Sequence, residues 1–148
     1  IVSVLGKGHQ GGAVYGAAVE SSSVQPLGSG LATVEAAIKF PVDEDEVQSL
    51  LLSQGVQGIL EVLDHGETER GSFVAMPVLC ACLENLLQRL DHDGLGGRMT
   101  WDAVRSLGLL LLATLRGLHL RGVVHCDVKP ANVMLGQGVQ PYLVDFGR

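Results

Sequence analysis

The chain has little cysteine, little positive charge and no long apolar run. Its three cysteines, Cys80, Cys82 and Cys126, give neither an even disulfide framework nor a zinc-ligand spacing. They read as free thiols and predict a reducing, intracellular setting such as the cytoplasm. Ten Lys and Arg stand against 16 Asp and Glu, a formal net charge of -6. A clustered basic face for nucleic acid is therefore not expected. The longest apolar stretch, residues 107–115, is too short to span a bilayer and is flanked by Arg105 and Arg116. Neither end carries a signal-peptide pattern or lipidation motif, and no internal repeat stands out. What remains is a globular composition, 47% apolar and 18% charged, and 148 residues suffice for a sizeable core.

The first half reads as strands with turns. Residues 1–5 and 13–19 are β-type runs around the glycine cluster 6–12, and residues 21–30 read as a surface loop. Residues 34–40 predict another strand, ended by Pro41. Asp43 suits an N-cap, with Glu46 three residues on and Val47, Leu50 and Leu51 at helical spacing. Gly55 and Gly58 break that helix. Residues 59–63 and 72–76 predict a strand pair around a turn at Asp64, His65 and Gly66.

The second half is helical. Leu83, Leu86, Leu87 and Leu90 form a stripe, followed by a loop over residues 91–97. From Trp101 to about Leu120 a helix is expected, with Trp101, Val104, Gly108, Leu111, Leu112, Leu115 and Leu118 on one face. Thr100 can cap it. Residues 133–135 and 142–144 predict a hairpin across Gly136, Gln137 and Gly138. Strands first and helices second is an α+β order that predicts two lobes, with a hinge near residues 77–82.

The most telling run is His125-Cys126-Asp127-Val128-Lys129-Pro130-Ala131-Asn132, followed by Asp145-Phe146-Gly147. An Asp, a Lys two residues on and an Asn five residues on can assemble a phosphoryl-transfer site on one loop, and a later Asp supplies a carboxylate for metal. This resembles the catalytic loop and metal motif of eukaryotic-type protein kinases, H-R-D-x-K-x-x-N and D-F-G. The resemblance implies a bilobal, protein-kinase-like α+β fold: residues 1–76 as N-lobe, 77–82 as hinge, 83–148 as the start of the C-lobe. It implies Asp127 against the acceptor hydroxyl as base or orienting group, and Lys129 stabilising charge on the transferred phosphoryl. Asn132 and Asp145 would give oxygen ligands to Mg2+. Lys129-Pro130 resembles the serine/threonine branch.

Upstream, Gly6, Lys7, Gly8, Gly11 and Gly12, followed by Val14, resemble the glycine-rich loop that covers ATP phosphates. Val14 lies one residue later than the family pattern, so Gly12 is either an insertion or the third glycine. Ala37-Ile38-Lys39 resembles the strand lysine that binds the α- and β-phosphates and pairs with a helix glutamate. That partner is Glu46, with Glu44 as the alternative, although Glu46 could instead complete a capping box with Asp43. Residues 73–79 resemble the adenine hinge, or equally an edge strand ended by proline. Pro77 would offer its carbonyl, Leu79 its amide, and Met76 or Ala75 would be the gatekeeper. Cys126 replaces the arginine that in most of the family meets a phosphate on the activation segment.

The implied function is a serine/threonine protein kinase that uses ATP and Mg2+ on a protein Ser/Thr hydroxyl. An ATP-binding pseudokinase or scaffold is the alternative. A related small-molecule phosphotransferase is disfavoured by Lys129-Pro130 and Asp145-Phe146-Gly147. The chain ends at Arg148, ahead of the family's activation segment, so this piece alone is expected to show little activity and to expose apolar surface on its long helix. No membrane partner is expected, and oligomeric state is left open.

Overall fold

β-Branched and aromatic residues such as Val14, Tyr15, Val34, Ile38 and Phe40 favour extended backbone and draw the first part of the chain into antiparallel strands. The computed structural model of the protein describes residues 3–7, 13–21, 32–136 and 140–146. Its five-stranded sheet contains β1 (Ser3–Lys7), β2 (Ala13–Ser21), β3 (Ala32–Val42), β4 (Asp64–Thr68) and β5 (Gly71–Pro77) in the order β1-β2-β3-β5-β4. Of the predicted loop at 21–30, Ser21 belongs to β2 and the rest lies outside the described residues.

Pro41 does not end the third strand. β3 runs through the cis Phe40-Pro41 peptide to Val42, and its register against β5 shifts between Lys39 and Val42. A proline has no N–H for the ladder, so it sits where pairing is irregular. The predicted strand at 59–63 is also corrected. Ile59 and Leu60 are buried but lie outside any strand. Asp64, His65 and Gly66, expected as a turn, belong to β4, which among the described residues is an edge strand paired with β5. The turn comes later, at Glu69 and Arg70. There the Arg70 amide donates to Thr68 Oγ1 at 3.2 Å and the Thr68 hydroxyl donates to the Gly71 carbonyl at 2.8 Å.

Helix α1 (Glu44–Leu52) starts as the sequence predicts. The Asp43 carbonyl accepts the Val47 amide at 3.1 Å, the first intrahelical bond, which puts Asp43 at the N-cap position. Glu44, Asp45 and Glu46 fill the first turn, where negative charge meets the positive end of the helix dipole.

The chain divides into two compact units, one made of residues 1–47 and 62–78, the other of 48–61 and 79–148. The second holds α2 (Leu83–Leu90), α3 (Trp101–His119) and a three-stranded sheet of β6 (Ala81–Cys82), β7 (Val133–Leu135) and β8 (Pro141–Leu143). The predicted loop after α2 begins with a π-type turn over Asp91–Leu95, broken at Gly94 by a left-handed φ of 77° and ended by Gly96 at φ 64°. Thr100 caps α3 as expected, its Oγ1 accepting the Ala103 amide at 3.3 Å. Residues 133–135 and 142–144 are expected as a hairpin. They pair with the second strand displaced by one residue, and β6 joins as a third strand. Gln137 and Gly138 of the expected turn lie outside the described residues.

The apolar face expected on α3 resolves into two stripes. Thr114 and Leu118 are buried, with Leu111 and Leu115 partly covered, a spacing of three and four residues that defines the inward side. Trp101, Val104 and Leu112 lie on the exposed side, Trp101 at 79%. Thr114 is tolerated inside because its hydroxyl donates to the Leu110 carbonyl at 3.1 Å. Opposite it sits Gly58, at φ +83°, where a Cβ would fall 2.2 Å from Thr114 Oγ1 and 3.3 Å from the Pro141 carbonyl. The Gly58 carbonyl accepts the Leu143 amide at 2.8 Å, so the segment after α1 is fastened to β8 without room for a side chain.

Candidate active-site residues

The first unit aligns one row of predicted nucleotide residues by register. Lys39 lies opposite Val14 of β2 and Val74 of β5, and Ala37 lies opposite Gly16 and Met76. Directly opposed residues share a face, so Val14, Ala37, Lys39, Val74 and Met76 line one side of the sheet. Ala75, opposite Ile38, points to the other side. Gly6 and Lys7 end β1, opposite Val14 and Ala13. Gly8, Gly11 and Gly12 lie outside the described residues. Pro77 closes β5 opposite Ala36, and Leu79 lies in the link to β6.

Lys39 Nζ lies 2.5 Å from Glu46 Oε1, and the two side chains are only 12% and 5% exposed. A withdrawn ammonium needs an opposite charge and hydrogen bonds to offset lost hydration, which Glu46 provides. Glu44, the alternative partner, is exposed. Helical geometry decides between them, because only Glu46 turns to the buried side beside Val47 and Leu50.

In the second unit the loop after α3 is organised around Asp127. Its Oδ2 accepts from Lys129 Nζ at 2.6 Å and from Asn132 Nδ2 at 2.9 Å. The same Asn132 nitrogen also donates to the Asp127 backbone carbonyl at 2.9 Å. Pro130 opens a single 3-10 turn, Pro130–Asn132, which folds Asn132 back toward Asp127. Both bonds of Asn132 use its amide nitrogen, so its oxygen is spent in neither. The Asn132 carbonyl accepts the Val144 amide at 2.9 Å, which brings the residue before Asp145 to the loop.

His125 closes the arrangement from beneath. It is buried, and its Nε2 lies 3.0 Å from the Val144 carbonyl while the Asp127 amide donates to Nδ1 at 3.3 Å. A carbonyl can only accept and an amide N–H can only donate, so the proton sits on Nε2 and the ring is neutral. Burial holds its pKa below the ordinary histidine range, against the opposing pull of the Val144 carbonyl and of Asp127 and Asp145. Its ring also meets Phe146, with centroids 4.8 Å apart. Sequence reasoning assigns nothing to Val144, although its amide and carbonyl tie Asn132 and His125 to the Asp145 segment. Backbone groups leave no residue-type signature, so no sequence signal marked it.

Cys126 and Asp145 both take left-handed backbone conformations, at φ 64° and φ 69°. Such geometry costs free energy at a non-glycine residue and collects at functional sites. Cys126 is exposed, and its thiol donates to the Val124 carbonyl at 3.7 Å. Among the described residues no group of three His, Cys, Asp or Glu forms a metal cage. Mg2+ is typically held by one or two protein oxygens together with phosphates. The Asn132 amide oxygen and the Asp145 carboxylate are donors of the required hard type. Among the described residues no helix is long and apolar enough to cross a membrane.

Known proteins bear on this geometry. Residues 2–148 match the sequence profile of the protein kinase domain. A probable casein kinase I homolog of Encephalitozoon cuniculi is 36% identical over 103 residues, 70% of this chain and 31% of that protein. The serine/threonine-protein kinase PknK of Mycobacterium tuberculosis is 33% identical over 115 residues, 72% of this chain and 10% of that protein. Serine/threonine-protein kinase 16 of Rattus norvegicus is 32% identical over 94 residues, 60% of this chain and 30% of that protein. The chain thus spans less than a third of the length of these relatives. With a β-sheet unit followed by helices and the Asp127 loop, the chain belongs to the protein kinase domain family.

Proposed function

We propose that this chain is the ATP-handling and catalytic-loop portion of a serine/threonine protein kinase. The observation that carries the reading is Asp127 held by both Lys129 and Asn132 on one short turn. A carboxylate fixed in this way can orient an acceptor hydroxyl and take its proton as the phosphoryl group transfers. Lys129, already beside that carboxylate, adds positive charge where negative charge develops. Asn132 and Asp145 would hold Mg2+, which when bound neutralises phosphate charge. Lys39, kept in place by Glu46, would bind the α- and β-phosphates, with Gly6, Lys7 and Val14 at the start of the glycine-rich loop. Met76 shares the Lys39 face and is the gatekeeper in this reading, while Pro77 and Leu79 present hinge carbonyl and amide. Residues 1–76, 77–82 and 83–148 then serve as N-lobe, hinge and start of the C-lobe.

Relatives named as serine/threonine kinases support hydroxyl acceptors on Ser or Thr. Cys126 cannot clamp a phosphate as arginine does, so activity would not depend on that contact. The test is radiolabelled phosphate transfer by the full-length protein carrying this chain, followed by phosphoamino-acid analysis. Label on serine or threonine, abolished by Asp127→Ala, is the expected result. Equal incorporation by the variant would remove Asp127 from catalysis.

A further inference from the structure

Helix α1 carries three acidic residues in its first turn and no basic residue in its last. The negative end of its dipole therefore lacks a cation of its own. The missing charge arrives from the far side of the sequence. Arg121, just past the end of α3, donates from Nη1 to the Gln54 carbonyl at 2.6 Å and to the Ser53 carbonyl at 3.2 Å.

Two carbonyls of the last helical turn are also taken. The Ser49 carbonyl accepts the Ser53 hydroxyl at 2.6 Å, and the Leu50 carbonyl accepts Gln54 Nε2 at 3.0 Å. Gln54 Nε2 further reaches the Leu60 carbonyl at 3.1 Å. Gly55, at φ +79°, turns the chain directly beneath the guanidinium, where a Cβ would stand 3.8 Å from Arg121 Nη2. One end of α1 thus carries Glu46 bound to Lys39, and the other ends in a knot that Arg121 closes.

We propose that Arg121 is a positioning residue: it fixes the C-terminal end of α1 and thereby holds Glu46 in place for Lys39. Arginine suits the task because one terminal nitrogen carries two N–H groups in a fixed plane, one for each carbonyl, and the guanidinium keeps its charge at all working pH values. Arg121 is exposed overall, so its truncation leaves the buried cores intact. The effect on nucleotide binding rests on the proposed function; the effect on α1 does not.

The test is amide hydrogen exchange on the intact chain, wild type against Arg121→Ala. Loss of a charged hydrogen bond predicts about tenfold faster exchange along α1, from Glu46 through Gln54, with α3 unchanged. Arg121→Lys should recover part of the protection, since it restores the charge but not the planar, fixed N–H geometry. A rise confined to residues 53–55, no rise, or a uniform rise across the chain would each overturn the proposal. MgATP affinity supplies a second readout in a double-mutant cycle. Arg121→Ala should weaken binding roughly fivefold in the wild-type background and not at all in Glu46→Gln. An equal loss in both backgrounds would contradict action through Glu46. A chain that binds no MgATP in any form would defeat the nucleotide reading, and the exchange result would still decide the clamp.

Discussion

The two units hold their candidate residues by different means. In the first, Lys39 and Glu46 are a buried ion pair joining a strand to a helix. In the second, Asp127 is surrounded by short-range bonds: Lys129 and Asn132 on its side chain, His125 on its backbone amide, and Val144 on both His125 and Asn132. A buried pair depends on both members, because either alone is a charge without hydration. A mesh of backbone bonds depends on loop shape, and loses only part of its hold with any one side chain.

The sharpest way to break this contrast is to split the pair. Glu46→Ala leaves the Lys39 ammonium withdrawn from water, and about 3–5 kcal/mol of stability should disappear in urea unfolding. Joint replacement, Lys39→Met with Glu46→Leu, should return to within about 1 kcal/mol of wild type, because removing both charges also removes the desolvation cost. It should not restore MgATP binding. Full stability loss in the joint variant would show that the pair is more than mutual compensation.

The second unit should fail through its backbone instead. Gly58→Ala forces a Cβ against Thr114 at a left-handed position, and about 2–4 kcal/mol should be lost in thermal or urea unfolding. Adding Thr114→Ala should relieve the steric share and leave the conformational share, about 1–2 kcal/mol. Complete rescue would mean that the backbone at Gly58 carries no strain.

His125 adds a pH signature. Its folded pKa lies below its unfolded value, so below about 6.5 the unfolded state binds a proton that the native ring refuses. The His125 contribution is fully present above about pH 6.5 and is lost as pH falls from there through the lower folded value. The slope should approach 1.4 kcal/mol per pH unit at most, and should be absent from the same titration of His125→Gln. An identical slope in the variant would assign the effect elsewhere. The smallest effect belongs to a cap: Thr100→Ala should cost about 1 kcal/mol, read as a shift in urea midpoint.

Legibility in the sequence follows the same division. Asp127, Lys129 and Asn132 were readable because their contacts lie within five residues, so spacing alone brings them together. Thr100 and Asp43 were readable because caps are local. Glu46 could not be separated from Glu44 until burial distinguished them, since both sit in the first turn of α1. Likewise, which of Met76 and Ala75 shares the Lys39 face could not be told without the register of β5 against β3. Residues 59–63 mislead because Ile59 and Leu60, buried outside any strand, give the same apolar signature as a buried strand. On α3, helical periodicity puts seven positions from Trp101 to Leu118 on one face, whereas only the stripe through Thr114 and Leu118 turns inward. Arg121 left no mark, because its partners are carbonyls 67 and 68 residues away.

One measurement addresses the central claim most directly: single-turnover phosphate transfer and MgATP affinity, measured together on Asp127→Asn in the full-length protein. If Asp127 serves the transferring group and Lys39 the nucleotide, transfer should fall by about 10²–10⁴-fold while MgATP affinity stays within about twofold. Transfer at the wild-type rate by Asp127→Asn would contradict the account.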